Sequence, residues 1–234
     1  MRILAFETSA KSAAVAIVQD GALLGEYFQN SGQTHSRTLM QMAEDLLKNC
    51  DITAADIDAV ACAAGPGSFT GVRIGMAAAK GFAWGREVPL IGVSTLEAMV
   101  RGVACADGTY CAAMDARRSQ VYTATFECHD GKLTRLTQDA ALSIDELGSM
   151  LEMIEKDKFL VGDGAALCYN TLREMQHSLH LLPEHQRMQR AAGVALLAWD
   201  QIQGGRVIPA QEVVPNYLRL SQAERERLKK SEME

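Results

Sequence analysis

Gly65-Pro66-Gly67-Ser68-Phe69-Thr70-Gly71-Val72-Arg73 joins two very different stretches of chain. Before it, Ile57 to Ala63 is a continuous apolar run that reads as a buried strand; after it, the spacing predicts a long helix from about Thr70 to Arg86. Three glycines in seven residues let the backbone turn tightly and come close to something else. The turn also delivers a helix amino terminus, whose free N–H groups and partial positive charge favour an anion. No Gly-Lys-Ser/Thr closes the loop, so it is not a phosphate loop of the Walker A kind. Gly65, Gly67 and Ser68 are candidate ligand contacts, and a purely structural strand-to-helix turn accounts for the same residues.

Upstream, Ile3 to Phe6, Ala13 to Val18 and Ala22 to Phe28 read as strands, the last two a hairpin closed at Asp20-Gly21. Ser36 is placed to cap a helix in which Leu39, Met42, Ala43, Leu46 and Leu47 recur at helical spacing. Downstream, a strand at Leu90 to Val93 and a helix from about Thr95 to Val103 complete a series that calls for a mixed sheet with helices over its faces. Ala106-Asp107-Gly108 breaks the pattern, and a similar series starts again. Tyr110 to Met114 and Val121 to Phe126 read as strands, His129-Asp130-Gly131 as a turn, Ser143 as the start of a helix and Phe159 to Val161 as a strand. Helices are predicted at Cys168 to His180 and Ala191 to Gln203. The expectation is an α/β protein built as a duplicated fold, with residues 1–105 as the first lobe and 106–234 as a shorter second lobe ending in the charged run Glu224 to Lys230.

Of 234 residues, 48% are hydrophobic and 22% charged, which suits a globular protein with a sizeable core. The most apolar stretch, Thr70 to Ala83, carries Arg73 and Lys80 and falls short of the ~20 residues of a membrane span. MRILAFETSA runs straight into a strand pattern without an apolar signal region, and a cytoplasmic location is expected. A net charge of −6 argues against broad binding of nucleic-acid phosphates, which needs a strongly positive surface. Cys50, Cys62, Cys105, Cys111, Cys128 and Cys168 show no C-x-x-C pair and read as buried, reduced thiols. The five histidines form no metal-ligand set by spacing, although His177 and His180 lie three apart on a predicted helix face.

Glu7-Thr8-Ser9 ends the first strand, where Thr8 and Ser9 suit a phosphate-facing turn and equally a structural one, because such hydroxyls commonly bond their own backbone. The helix VRIGMAAAKGFAWGR is apolar almost all round and needs cover on two sides. Its own sheet supplies one. The other is the helix at Ser36 to Asn49 or a helix pair of a partner protein approaching over the small residues.

GPGSFTGVR, the opening MRILAFETS, the block KGFAWGREVPLIGVSTLEAM and the late PNYLRL together resemble the TsaB/YeaZ family, over nearly the whole chain and most strongly from Met1 to Met99. The resemblance implies an actin-like ATPase fold of two lobes. It implies a non-catalytic subunit required for threonylcarbamoylation of the adenosine beside the anticodon of tRNAs that read codons beginning with A. That subunit would bind and support the catalytic paralogue TsaD, together with the ATPase TsaE. ATP is then used by the complex, with no cofactor in the isolated chain, and tRNA is reached indirectly through the complex. The implied contact with TsaD runs through the first two long helices, around Leu39, Met42, Leu46, Met76, Ala79, Lys80 and Ala83. The same surface implies a homodimer when the chain is alone.

TsaD-like proteins read E-T-S-C-D-E-T where this chain has Glu7-Thr8-Ser9-Ala10-Lys11-Ser12-Ala13, so both added acids are missing. Their H-x-x-x-H, within V-N-H-L-E-G-H, is replaced by Val93-Ser94-Thr95-Leu96-Glu97-Ala98-Met99. Thr95 and Met99 cannot stand in for two imidazoles around a hard or borderline ion, so neither a metal site nor catalytic residues are expected. Two enzyme readings stay beside this one: a glycoprotease-like peptidase acting on a partner protein, which lacks a Ser/His or Cys/His constellation, and an actin-like small-molecule kinase, for which Glu7, Asp115 and Asp163 are the acids at strand ends.

Overall fold

The computed structural model describes residues 1–206 and 209–219. The chain opens with strands β1 (Arg2–Glu7), β2 (Ala13–Gln19) and β3 (Ala22–Gln29), then helix α1 (His35–Asn49), β4 (Ala59–Ala63), α2 (Phe69–Arg86), β5 (Leu90–Val93) and α3 (Thr95–Arg101). These strands form one sheet in the order β3-β2-β1-β4-β5, antiparallel up to β1 and parallel beyond it. The second series is β6 (Gly108–Asp115), β7 (Gln120–His129), β8 (Lys132–Arg135), β9 (Ala140–Ser143), α4 (Ile144–Glu152), β10 (Lys158–Val161), α5 (Ala165–Leu172), β11 (Leu179–Leu181), α6 (Glu184–Arg187) and α7 (Ala191–Gln203). Its sheet runs β11-β10-β6-β7-β8, with β9 also on β7, and repeats the same mixture of parallel and antiparallel pairs.

Both sheets are covered on both faces, which is why β2, β4 and the middle of β6 run apolar without alternating. On the outer face of the first sheet, Leu39, Met42 and Leu46 of α1 and Met76, Ala79 and Ala83 of α2 pack on Leu4, Phe6, Val15 and Ile17. On its inner face lie Val194, Ala195, Leu197 and Ala198 of α7, against Ile3, Ala5, Ala14 and Ala16. The helix that follows the first sheet, α3, instead turns Leu96, Met99 and Val100 onto Tyr110, Ala112 and Phe126 of the second. α4 and α5 cover the second sheet's far face.

The two lobes therefore exchange helices. α3 and α7 form a shared middle layer, and they cross closely enough that the Gly193 Cα lies against the Ala98 carbonyl, with no room for a side chain. A cut after residue 105 would strip the first sheet of α7 and expose Val194 and Leu197, each worth roughly 1.5–3 kcal/mol when buried.

Several local expectations are corrected. Ser36 does not cap α1, which begins one residue earlier behind Thr34, and the His35 ring bonds the Ala10 carbonyl at 2.9 Å. The helix expected at Cys168 to His180 stops at Leu172; beyond it Ser178 adopts a left-handed backbone, which no helix continues through, and Leu179-His180-Leu181 adds a parallel edge strand to β10. His180 accordingly lies on a strand, 3.0 Å from Asp157, and shares no helical face with His177. β8 and β9, of four residues each, are too short to give a clear strand signal. Four cysteines are buried, and burial pushes the Cys62 and Cys168 thiols up to about 12, but Cys105 is exposed and Cys50 half-buried. The charged run Glu224 to Lys230 lies outside the described residues.

Candidate functional site

The carboxyl ends of β1, β4, β6 and β10 converge on a cleft of 440 Å³ between the lobes, the position where open α/β sheets generally take ligands. Ser9 and Lys11 follow β1, Pro66 to Phe69 follow β4, Asp115 and Arg117 end β6, and Asp163 follows β10.

The glycine loop is held against the Thr8-Ser9 turn. Ser68 N–H donates to the Ser9 carbonyl at 2.6 Å, and the Thr8 hydroxyl donates to the Gly71 carbonyl at 2.8 Å. A Cβ on Gly67 would sit 2.5 Å from the Ser9 carbonyl oxygen, and one on Gly71 would collide with that of Thr8. Gly65, at φ +108°, faces the Asn216 carbonyl. Of the five candidate ligand contacts, Thr8, Gly65 and Gly67 are thus engaged in packing the turn, and the Ser9 hydroxyl is buried with no partner among the described residues. Ser68 is exposed at the cleft, its Oγ accepting from Gly71 N–H at 3.2 Å as the cap of α2.

Two carboxylates, Asp115 and Asp163, line the cleft, and a third, Glu7, is buried beneath it. Glu7 is 1% exposed and accepts from Ser9 N–H at 2.5 Å. Asp163 accepts from Gln189 Nε2 at 2.9 Å, and burial raises its pKa. Asp115 accepts from Arg117 N–H at 2.7 Å, at a turn where Arg117, Arg118 and Ser119 all adopt left-handed backbone. Burial, with a smaller push from Asp163, lifts Glu7 from 4.5 to about 7, against the lowering effect of its bonds from Ser9.

A carboxyl raised in the folded state adds stability that is complete below pH 4.5 and is lost as pH climbs through about 7. At about 1.4 kcal/mol per pH unit the span is on the order of 3 kcal/mol. Glu7→Gln, which keeps the acceptor and cannot ionise, should therefore gain on the parent in thermal melts as pH rises from 4.5 to 8. A constant difference across that range would show that the carboxyl is not held protonated.

Thr95 and Met99 are both buried, and Met99 belongs to the core under α3. Among the described residues, Asp107, His129 and Asp130 could offer three ligand atoms to a metal. They are exposed at the opposite ends of β6 and β7 from the cleft, with the His129 ring already between the two carboxylates.

The side chains expected to meet a partner are turned inward. Leu39, Met42, Leu46, Met76, Ala79 and Ala83 are all buried in the protein's own core, and Lys80 is half-buried. A side chain that fills its own core has no surface left for a partner. The outward side of the same two helices carries Met40, at 49% exposure, Ala77, Gly81 and Trp84, at 86%. Sequence spacing misses this division because α2 is apolar on both sides.

A family model described as "TsaD: tRNA N6-adenosine threonylcarbamoyltransferase" matches residues 26–227. The "tRNA threonylcarbamoyladenosine biosynthesis protein TsaB" of Bacillus subtilis (strain 168) is 29% identical over 96% of this chain and 96% of its own length. Its namesake in Escherichia coli (strain K12) is 31% identical over 94% of this chain and 95% of its own. Among solved structures, a Pseudomonas aeruginosa protein described as similar to the peptidase YeaZ aligns with TM-score 0.79 at 26% identity, over 93% of this chain and 99% of that one. The (R)-2-hydroxyglutaryl-CoA dehydratase component A of Acidaminococcus fermentans aligns with TM-score 0.51 at 11% identity, over 87% and 99% of the two chains, and carries the fold likeness alone. The paired mixed sheets around an exchanged helix layer are an actin-like ATPase fold, among the described residues no helix is long and apolar enough to cross a membrane, and the chain belongs to the TsaB/YeaZ family of tRNA threonylcarbamoyladenosine biosynthesis proteins.

Proposed function

We propose that this chain is a non-catalytic subunit for threonylcarbamoylation of tRNA adenosine, and that it acts by holding the catalytic paralogue TsaD in a competent shape, with TsaE completing the complex. One observation carries the reading. The positions at which TsaD-like proteins bring acids and a histidine pair to the cleft hold Lys11, Ser12, Thr95 and Met99 here, and the last three are buried. The remaining acids are poorly placed to serve a reacting group, since Glu7 is sealed under Ser9 and Asp163 is tied to Gln189. ATP is then consumed by the complex, tRNA is engaged through it, and a cytoplasmic location goes with that role.

The contact with TsaD is assigned to the outward sides of α1 and α2, where an exposed tryptophan and methionine flank a strip of Ala77 and Gly81 that lets another helix come close. The same face would pair two copies of the chain in the absence of TsaD.

Reconstitution with purified TsaD, TsaE, the adenylate-forming synthase, ATP, threonine, bicarbonate and tRNA tests the role. Modified adenosine should appear only when this chain is added, and none should form when it replaces TsaD. Full modification in its absence would reject the assignment. A small-molecule kinase has one observation in its favour, Asp115 and Asp163 on the cleft lining with Glu7 buried close to Asp163, and magnesium-dependent ATP binding by the isolated chain in calorimetry would support it.

A further inference from the structure

The late motif Pro215-Asn216-Tyr217-Leu218-Arg219 has no role in the proposed function, yet it crosses the mouth of the cleft. Its path begins at Val213, which is 2% exposed in the core under α1 and α2 and lies against Gly92 of β5. Asn216 N–H then donates to the Ala64 carbonyl at 2.6 Å, just beyond the end of β4, and the Asn216 carbonyl packs on the bare Cα of Gly65. Tyr217 stacks on Phe69 at 4.4 Å between ring centroids, and Arg73 Nε donates to its hydroxyl at 2.8 Å. The Arg73 guanidinium also lies 3.8 Å over the Phe69 ring, so the helix that opens the cleft grips the segment with two side chains. Finally Arg219 reaches the other lobe, where Nη1 donates to the Ala116 carbonyl at 2.8 Å.

The two ends of this path differ in strength. On the first lobe the segment has a buried anchor, a backbone bond, an aromatic stack and a cation over a ring. On the second, among the described residues, it is held by the hydrogen bond from Arg219. The lobes are joined independently away from the cleft lining, through the shared α3 and α7 layer and where Arg135 pairs with Glu97 and Asp139 and Ser94 donates to Asp139. A packed join away from the cleft with a light attachment at its mouth is the layout of a hinge with a catch.

We propose that residues 213–219 are a latch: fixed to the first lobe, they roof the cleft and hold it at this opening through Arg219 and the Ala116 carbonyl. Releasing Arg219 frees the second lobe's β6–β7 turn. Releasing Tyr217 frees the roof from α2. The cleft's access is then set by this chain's own carboxyl-side segment, and any ligand or partner that uses the cleft must compete with it.

Hydrogen exchange read by mass spectrometry on the full chain tests the latch. In Arg219→Ala, amides of residues 116–122 should exchange about tenfold faster, the loss expected for one hydrogen bond that holds a local opening. In Tyr217→Ala, residues 64–72 should respond in the same way, whereas Tyr217→Phe, which keeps the stack and loses only the bond from Arg73, should give a smaller change. Arg219→Lys can still donate to the carbonyl and should restore part of the protection. Peptides from β1 and β2 serve as the internal reference and should stay at the parent rate. Unchanged exchange at 116–122 in Arg219→Ala overturns the latch, and so does a uniform rise across the whole chain, which would mark general loss of stability.

Discussion

Ala79→Asp is expected to unfold the protein or to remove about 3–5 kcal/mol of stability, because it places an unpaired carboxylate at a fully buried position between α2 and the first sheet. Domains of this kind are stable by only about 5–15 kcal/mol, so the loss is a large share of the total. Ala79 belongs to an apolar cluster with Phe6, Cys62 and Met76, which would leave the new carboxylate desolvated. Trp84→Asp, five residues along the same helix, should behave in the opposite way. Trp84 is 86% exposed, so stability should stay within about 0.5 kcal/mol of the parent. Pairing with TsaD should weaken about thirtyfold or more, as for a buried aromatic anchor at an interface. Urea denaturation and calorimetric titration with TsaD separate the two effects. If Ala79→Asp stays folded and merely loses TsaD, the packing of α2 on its sheet has been misjudged. If Trp84→Asp binds TsaD as the parent does, the outward side of α2 is not the contact.

The contrast between those two positions marks where sequence reading stops. Helical spacing in Leu39, Met42, Leu46 and Leu47 is enough to locate α1 and its buried stripe. In α2 the small residues run all the way round, so the pattern says that the helix is covered without saying which side faces the sheet. The duplication is legible because each half repeats strands, turn and helices in the same order. The exchange of α3 and α7 is not, because an apolar helix carries no mark of which of two sheets it will cover, and only the three-dimensional crossing at Gly193 and Ala98 decides it.

At the cleft, the turn residues Glu7 to Ser9 and the loop from Gly65 were visible as neighbours of a strand end. Their contacts with each other span about sixty residues of chain, as in the bond from Thr8 to Gly71, and no local pattern encodes them. The bridging segment 213–219 is hidden for the same reason: it has no helical or strand period, and its role is set only where Tyr217 meets Phe69 and Arg219 meets Ala116.

Gly71→Ala should be among the most damaging of the conservative substitutions, with a loss of about 3 kcal/mol. In an exposed helix the same change stabilises by up to about 1 kcal/mol, because alanine has the better helix propensity. Here the added methyl group would strike the Thr8 carbonyl oxygen, a backbone atom fixed at the end of β1 by the rest of the sheet. Neither side can yield cheaply, so β1 and α2 would have to separate and the bond from Thr8 to the Gly71 carbonyl would lengthen. Steric overlap thus outweighs propensity. Gly81, ten residues further along α2, is the control: it is exposed, a Cβ there meets nothing within 4 Å, and Gly81→Ala should raise stability by about 0.5–1 kcal/mol. Chemical denaturation of both variants should give shifts of opposite sign. Equal shifts would mean that Gly71 is held by helix propensity alone, and that the glycine loop does not owe its composition to the contact between the end of β1 and the start of α2.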